Sequence, residues 1–212
     1  MRDPEPSPVS PVPIVVVLPA TPPPAEVDPE LLRRAQTGDE AAFGTLMRTH
    51  YNAIFRLVYS IVRHEHDARD VCQEIWLTVW RELPGFRGTA KFRTWLHPIA
   101  VRRALDHLRK RRRWYDRFLS FSTGDDAMGA VPEPAADVDT HQPIEGADRV
   151  MQVRRALEAL PPKLRVVLAL REIEGLTYEE IAQTVGVPAG TVMSRLYHAR
   201  RQMAQKLRKL PS

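Results

Sequence analysis

Residues 177–203, TYEEIAQTVGVPAGTVMSRLYHARRQM, permit few folds other than two short helices closed on a tight turn. Thr177 can cap the first helix, Glu180 can complete a capping box, and Gly186 suits the left-handed residue that stops it. In the second helix Val192, Leu196, Ala199 and Met203 recur at spacings of four, three and four, an apolar stripe that must face a core. The opposite face carries Gly190, Met193, Ser194, Tyr197, His198 and Arg201. Pro188 fits the helix entry, Gly190 leaves room for a phosphate, and the free N–H groups of a first turn favour an anion. The pattern reads as a helix-turn-helix with an outward face suited to DNA. A plain helical hairpin with a solvated basic face carries the same local signals, so the rest of the chain must separate the two.

A chain of 212 residues with 43% hydrophobic content can build one average domain or two small ones. Its formal net charge of +5 points to an anionic partner, and the distribution says more than the sum. Between Lys91 and Arg117 stand ten basic residues (Lys91, Arg93, Arg102, Arg103, Arg109, Lys110, Arg111, Arg112, Arg113 and Arg117) against Asp106 and Asp116, a local excess of 10 − 2 = +8. The single cysteine, Cys72, shares a helical apolar stripe with Val71, Ile75 and Val79, which reads as a buried structural thiol in a reducing compartment. The longest apolar run, Ile14–Leu18, is too short to span a bilayer, and no signal-peptide pattern stands at the start. The expectation is a cytoplasmic protein without membrane insertion.

Proline-rich residues 1–27 read as a disordered tail, since the missing backbone donors prevent a regular helix or central strand. Helical periodicity then predicts elements at Pro29–Gln36, Glu40–Arg63, His66–Leu83 and Phe92–Arg113. The second turns Phe43, Leu46, Met47, Tyr51, Ile54, Phe55, Val58 and Ile61 to one wide face, and the third turns Ala68, Val71, Cys72, Ile75 and Val79 inward. In the fourth, Trp95, Leu96, Ile99, Leu105 and Leu108 are expected to complete a bundle, with Pro98 as a kink or a shifted start. Residues 116–147 gather acids, Gly and Pro and read as a flexible acidic linker. Helices at Asp148–Leu160 and Lys163–Glu174 lead into the helix-turn-helix. The expected fold is therefore all-α: a four-helix domain at 28–115 and a helix-turn-helix domain at 148–210.

Three stretches now combine. DARDVCQEIWLTVW (Asp67–Trp80), FRGTAKFRTWLHPIAVRRALDHLRKRRR (Phe86–Arg113) and LPPKLRVVLALREIEGLTYEEIA followed by VPAGTVMSRLYHAR resemble, in that order, the sigma factors of bacterial RNA polymerase of the two-domain extracytoplasmic-function type. The resemblance runs from Asp28 to Lys209 apart from the linker. It implies a dissociable, non-catalytic initiation subunit without cofactor or metal, which binds core RNA polymerase, reads two promoter elements and helps melt the downstream one. Members of the family are often held by an anti-sigma factor, which makes such a protein an expected partner.

The resemblance assigns polymerase binding to the third helix, where Asp67, Asp70, Gln73, Glu74, Trp76, Leu77 and Trp80 read as a second, acidic and aromatic face. It assigns the minus-10 element and its melted strand to Arg87, Gly88, Thr89, Lys91, Phe92, Arg93 and Trp95, with phosphate contacts from Arg102, Arg103, Arg109, Lys110 and Arg112. The duplex minus-35 element falls to Thr177, Pro188, Gly190, Thr191, Met193, Ser194, Arg195, Tyr197, His198, Arg200 and Arg201. Met193 and His198 stand where the family commonly carries permanent cations, so base preference does not transfer. The competing class is a conventional regulator that binds duplex DNA through the C-terminal domain alone; such a protein has no need of the basic loop and helix at Lys91–Arg113. A metal hydrolase built on His64-Glu65-His66 is set aside, because that triplet lacks the spacing that puts two imidazoles on one helix face. The acidic linker also permits self-inhibition by covering the basic helix.

Overall fold

The computed structural model describes the backbone of residues 26–122 and 147–208, with side chains over 26–114, 152–153 and 155–208. The expected tail at 1–27 (apart from Glu26 and Val27) and most of the expected linker lie outside the described residues. Among the described residues the chain forms α1 (Pro29–Gln36), α2 (Glu40–Val62), α3 (Glu65–Glu82), α4 (Phe92–Ser122), α5 (Ala147–Glu158), α6 (Pro162–Glu172), α7 (Tyr178–Val185) and α8 (Ala189–Arg208), with a 3-10 turn at Leu83–Gly85.

Each boundary has a local cause. The Asp28 side chain accepts from Glu30 N at 3.1 Å and Pro29 opens α1, while Asp39 accepts from Ala42 N at 3.0 Å to start α2. His64, set aside above as a metal ligand, caps α3 through Nδ1, which accepts from Asp67 N at 3.3 Å. Gln36 then donates from Nε2 to Phe86 O at 2.6 Å, pinning the end of α1 to the corner between α3 and α4. The capping box of α7 is present in full, with Thr177 Oγ1 accepting from Glu180 N at 3.2 Å and Thr177 N donating to Glu180 Oε2 at 2.8 Å. Gly186 closes it at φ +67°, a conformation open to glycine at little cost.

The first module packs α2 against α1, α3 and α4; the second packs α8 against α5, α6 and α7. The inward stripe of α3 is buried as expected, and so is Val192–Leu196–Ala199–Met203 of α8. Each fully buried Leu or Ile contributes roughly 1.5–3 kcal/mol by leaving water.

Two helices depart from the expected pattern. α4 does not end at Arg113 but continues to Ser122, straight through Pro98. Its buried residues are Phe92, Leu96, His97, Ala100, Val101 and Ala104, whereas Trp95, Ile99, Leu105 and Leu108 are only half-buried. Ala100 and Ala104, four apart, let α4 lie close to α2 and α3, a role that apolar size alone does not announce. α2 buries more than one face, including His50, Ala53, Leu57 and Ser60. The reason is tertiary: α6 of the second module also packs against α2, and Ser60 shares a small recess with Leu157, Arg165, Leu168 and Ala169. The apolar core is accordingly one continuous cluster through both modules.

Candidate nucleic-acid and protein interfaces

On α3 the expected acidic-aromatic face divides in two. Trp76 is buried at 4% exposure, edge-on to Phe43 with ring centroids 6.2 Å apart, and Trp80 is half-buried against the same ring at 4.7 Å. Reading Trp76 as an exposed anchor is therefore corrected: α2 supplies an aromatic partner that the α3 sequence does not reveal. Asp67 is likewise engaged inside the module, accepting from Arg111 Nη1 at 2.7 Å with His107 Nε2 3.2 Å away. What remains outward is a narrow strip of Asp70, Gln73, Glu74 and Leu77, the last 62% exposed. That strip sets one exposed leucine among Asp70, Gln73 and Glu74, with the aromatic rings turned away from it.

The loop before α4 leaves Arg87, Gly88, Thr89 and Lys91 exposed. Gly88 sits at φ +69° with open space around it, so backbone conformation and not crowding selects glycine there. Lys91 Nζ meets Glu26 on the surface, and each raises or lowers the other's pKa in favour of the charged pair. Phe92 is the second correction. It is buried between His50, Phe86 and Trp95, whose centroids lie 5.2, 6.1 and 5.8 Å from its ring, and offers no open base pocket. Trp95 stays half-buried, 5.0 Å from Phe86. Further along α4, Arg102, Arg109, Lys110 and Arg112 are exposed, whereas Arg103 donates to Thr78 Oγ1 at 3.0 Å and helps hold α3 to α4. The helix thus presents cations on one side while its other side is core.

Arg93 does not face open solvent. Its Nη2 donates to Glu174 Oε2 at 2.9 Å and also to the Glu174 carbonyl, and His97 Nε2 lies 3.0 Å from the same carboxylate oxygen. A carboxylate only accepts, so His97 carries its proton on Nε2. Burial pushes the Glu174 carboxyl up, but His97 and Arg93 outweigh it and hold the group below the usual carboxylate range. Nearby His50 is pushed down to about 4, first by burial and then by the charges of Arg93 and His97. Burial alone pushes the Cys72 thiol up to about 12. Glu174 and His97 went unnoticed in the sequence, where one precedes Gly175 in a turn and the other stands beside Pro98. Arg165 is a further omission. It is buried at 2% exposure and donates to Ile61 O at 2.8 Å, Glu158 O at 2.9 Å and Leu160 O at 2.8 Å. An arginine inside the apolar run from Leu164 to Leu170 was the available signal.

The recognition helix α8 keeps its expected outward face. Pro188, Gly190, Met193, Ser194, Tyr197, His198 and Arg201 are exposed, with Met193 and Tyr197 at 51% and 61% on adjacent turns. Thr191 and Arg195 are half-buried. Arg200 donates to Glu172 Oε1 at 2.7 Å and binds α8 to α6, and the Thr177 side chain serves its own capping box. The arrangement can meet duplex DNA through one convex helix face flanked by cations.

Known proteins share this architecture. Family models for Sigma-70 region 2 and Sigma-70, region 4 match residues 46–114 and 150–203. The chain is 36% identical over 191 residues to the RNA polymerase sigma-H factor of Pseudomonas aeruginosa, covering 87% of this chain and 96% of that one. It is 34% identical over 187 residues to the ECF RNA polymerase sigma-E factor of Escherichia coli, covering 86% and 95%. The solved structure of CnrH in complex with the cytosolic domain of CnrY matches with a TM-score of 0.60 at 23% identity over 84% of this chain and 96% of that chain. The sigma factor RpoE in complex with the anti-sigma factor NepR from Bartonella quintana gives 0.60 at 21% over 80% and 98%. The structures share the fold, the relatives share sequence along nearly their whole length, and both regions occur in order: the chain belongs to the extracytoplasmic-function (ECF) sigma factors of RNA polymerase.

Proposed function

We propose that this chain binds core RNA polymerase through the strip Asp70, Gln73, Glu74 and Leu77, and reads two promoter elements with its two modules. Residues 28–115 form the unit that meets the minus-10 element, through Arg87–Lys91, Arg93, Trp95 and the cations Arg102, Arg109, Lys110 and Arg112. Residues 148–210 form the unit that meets the minus-35 duplex, through Met193, Ser194, Tyr197, His198 and Arg201, and 116–147 tether the two. The carrying observation is the outward face of α8, because its buried stripe is complete and leaves those side chains no role in the core. The cations position the chain on phosphates, and Met193 and Tyr197 offer apolar contact to base edges in the major groove. Catalysis stays with the polymerase, and the site of action is the cytoplasm. Control by an anti-sigma factor fits the fold shared with the NepR-bound sigma factor.

The test is transcription from purified components. Core polymerase with this chain yields promoter-dependent transcripts from a library of templates, and Leu77→Asp abolishes core binding while leaving the unfolding midpoint in place. Absence of core binding by the unmodified chain would sink the reading.

A further inference from the structure

Arg93 is assigned to DNA, yet its guanidinium is engaged by the other module. Glu174 lies in the turn between α6 and α7, and its carboxylate, 3% exposed, is clasped by Arg93 and by His97 at 1% exposure. Two further polar links join the modules at the C-terminal end of α2, Arg165 to Ile61 O and Arg63 to Glu158. Arg63 is the one non-glycine with positive φ among the described residues, at +67°. That conformation costs roughly 1–2 kcal/mol and occurs at the C-cap of α2, the residue whose side chain reaches Glu158 of the other module.

Reading two promoter elements at once demands a different arrangement. Elements centred near minus 10 and minus 35 are about 25 base pairs apart, about 85 Å of duplex at about 3.4 Å per step. A compact chain of this length has a radius of gyration of about 17 Å. The modules must part before both elements of a straight duplex are engaged, and parting frees Arg93 and His97.

We propose that Glu174 is an internal stand-in for a nucleic-acid phosphate: it occupies the Arg93–His97 site in the closed chain, and a backbone phosphate of the promoter strand takes that site when the modules separate. Carboxylate and phosphate oxygens accept the same charge-assisted hydrogen bonds from a guanidinium, so exchanging one for the other leaves Arg93 satisfied in both states. Closed chain and DNA-bound chain then exclude each other at one residue. The inference rests on the assignment of α4 to DNA given above, and the following design separates the two.

The full chain is labelled at Asn52→Cys on α2 and Gln205→Cys on α8, both exposed; the buried Cys72 thiol does not compete. Inter-label distances are measured without DNA, and affinity is measured for a fluorescent oligo-dT of about 12 nucleotides, within the range of single-strand sites. Glu174→Gln is expected to lengthen the distances and to tighten oligonucleotide binding about tenfold, as removing a closed state favoured about ten to one would do. Glu179→Gln, an exposed loss of the same charge, changes neither. The pair Arg93→Glu with Glu174→Arg restores the short distances, a result that misfolding cannot produce. Unchanged distances in Glu174→Gln overturn the latch. Longer distances with unchanged affinity overturn the competition. If adding Arg93→Gln to the opened chain does not weaken oligonucleotide binding, the assignment of Arg93 to DNA fails while the latch stands.

Discussion

The helix-turn-helix and the α3–α4 pair are both built of amphipathic helices, yet the first leaves one face open while the second is covered on several sides. In α8 one stripe faces the core, and Met193, Ser194, Tyr197, His198 and Arg201 off that stripe are exposed, while Thr191, Arg195 and Arg200 are half-buried. In the first module each helix touches several neighbours, and the second module covers a further side of α2 and α4. Trp76, Phe92 and Arg93 therefore have the composition of a surface site but sit against Phe43, His50 and Glu174. An amphipathic pattern shows which residues can be buried; the sides on which further elements pack decide which of them are.

The largest test of this contrast is on α3. Trp76→Ala should lower stability by about 3–5 kcal/mol, as large-to-small changes in a packed aromatic cluster do, whereas Leu77→Ala one position on should stay within about 0.5 kcal/mol. Urea denaturation of the two variants checks it, and equal losses would return Trp76 to the surface.

Acid should act on the buried cluster of the contact between modules and spare the helix-turn-helix. His50, facing Phe92, Arg93 and His97, binds its proton at about 4 when folded and near 6.5 when unfolded. Between these values the unfolded chain holds the extra proton, so stability falls as pH drops from about 6.5 to about 4, by roughly 2–3 kcal/mol. The lowered Glu174 carboxyl contributes in the same sense: its stabilisation is present above the ordinary carboxylate value and is lost as pH falls through its folded value. Thermal unfolding from pH 7 to 4 measures the slope, and His50→Leu should flatten its upper part. A slope unaltered in that variant would detach His50 from the effect.

The smallest effects belong to the outward face of α8, whose side chains carry little of the fold. Arg201→Ala should leave unfolding unchanged, weaken duplex binding about equally across sequences, and reduce the salt dependence by about one phosphate contact. Met193→Ala should leave the salt slope alone and change which sequences bind. Equilibrium binding at several salt concentrations distinguishes them; a change in preference from Arg201→Ala would reverse the two roles.

Legibility followed the range of the forces concerned. The cap at Thr177, the stop at Gly186 and the buried stripe of α8 depend on residues within a few positions of each other, and each is where the sequence places it. The fourth helix runs through Pro98 and the basic stretch as expected, but its extension from Arg113 to Ser122 was missed, because the expected acidic linker was set to begin at residue 116. The cation cluster was visible as composition, but Arg103 and Arg111 turn out to hold α3 and α4 together.

By itself the sequence determined where the helices lie, the capping box and stop of α7 and the stripe that turns the recognition helix outward, because hydrogen bonds and side-chain spacing within one element settle them. Only the tertiary structure decided that Trp76 and Phe92 are core, that Arg165 is buried on backbone carbonyls, and that Glu174 holds Arg93 and His97. Glu174 lies 81 residues along the chain from Arg93 and 77 from His97, and desolvation with charge pairing acts on distance in space, which chain position does not encode.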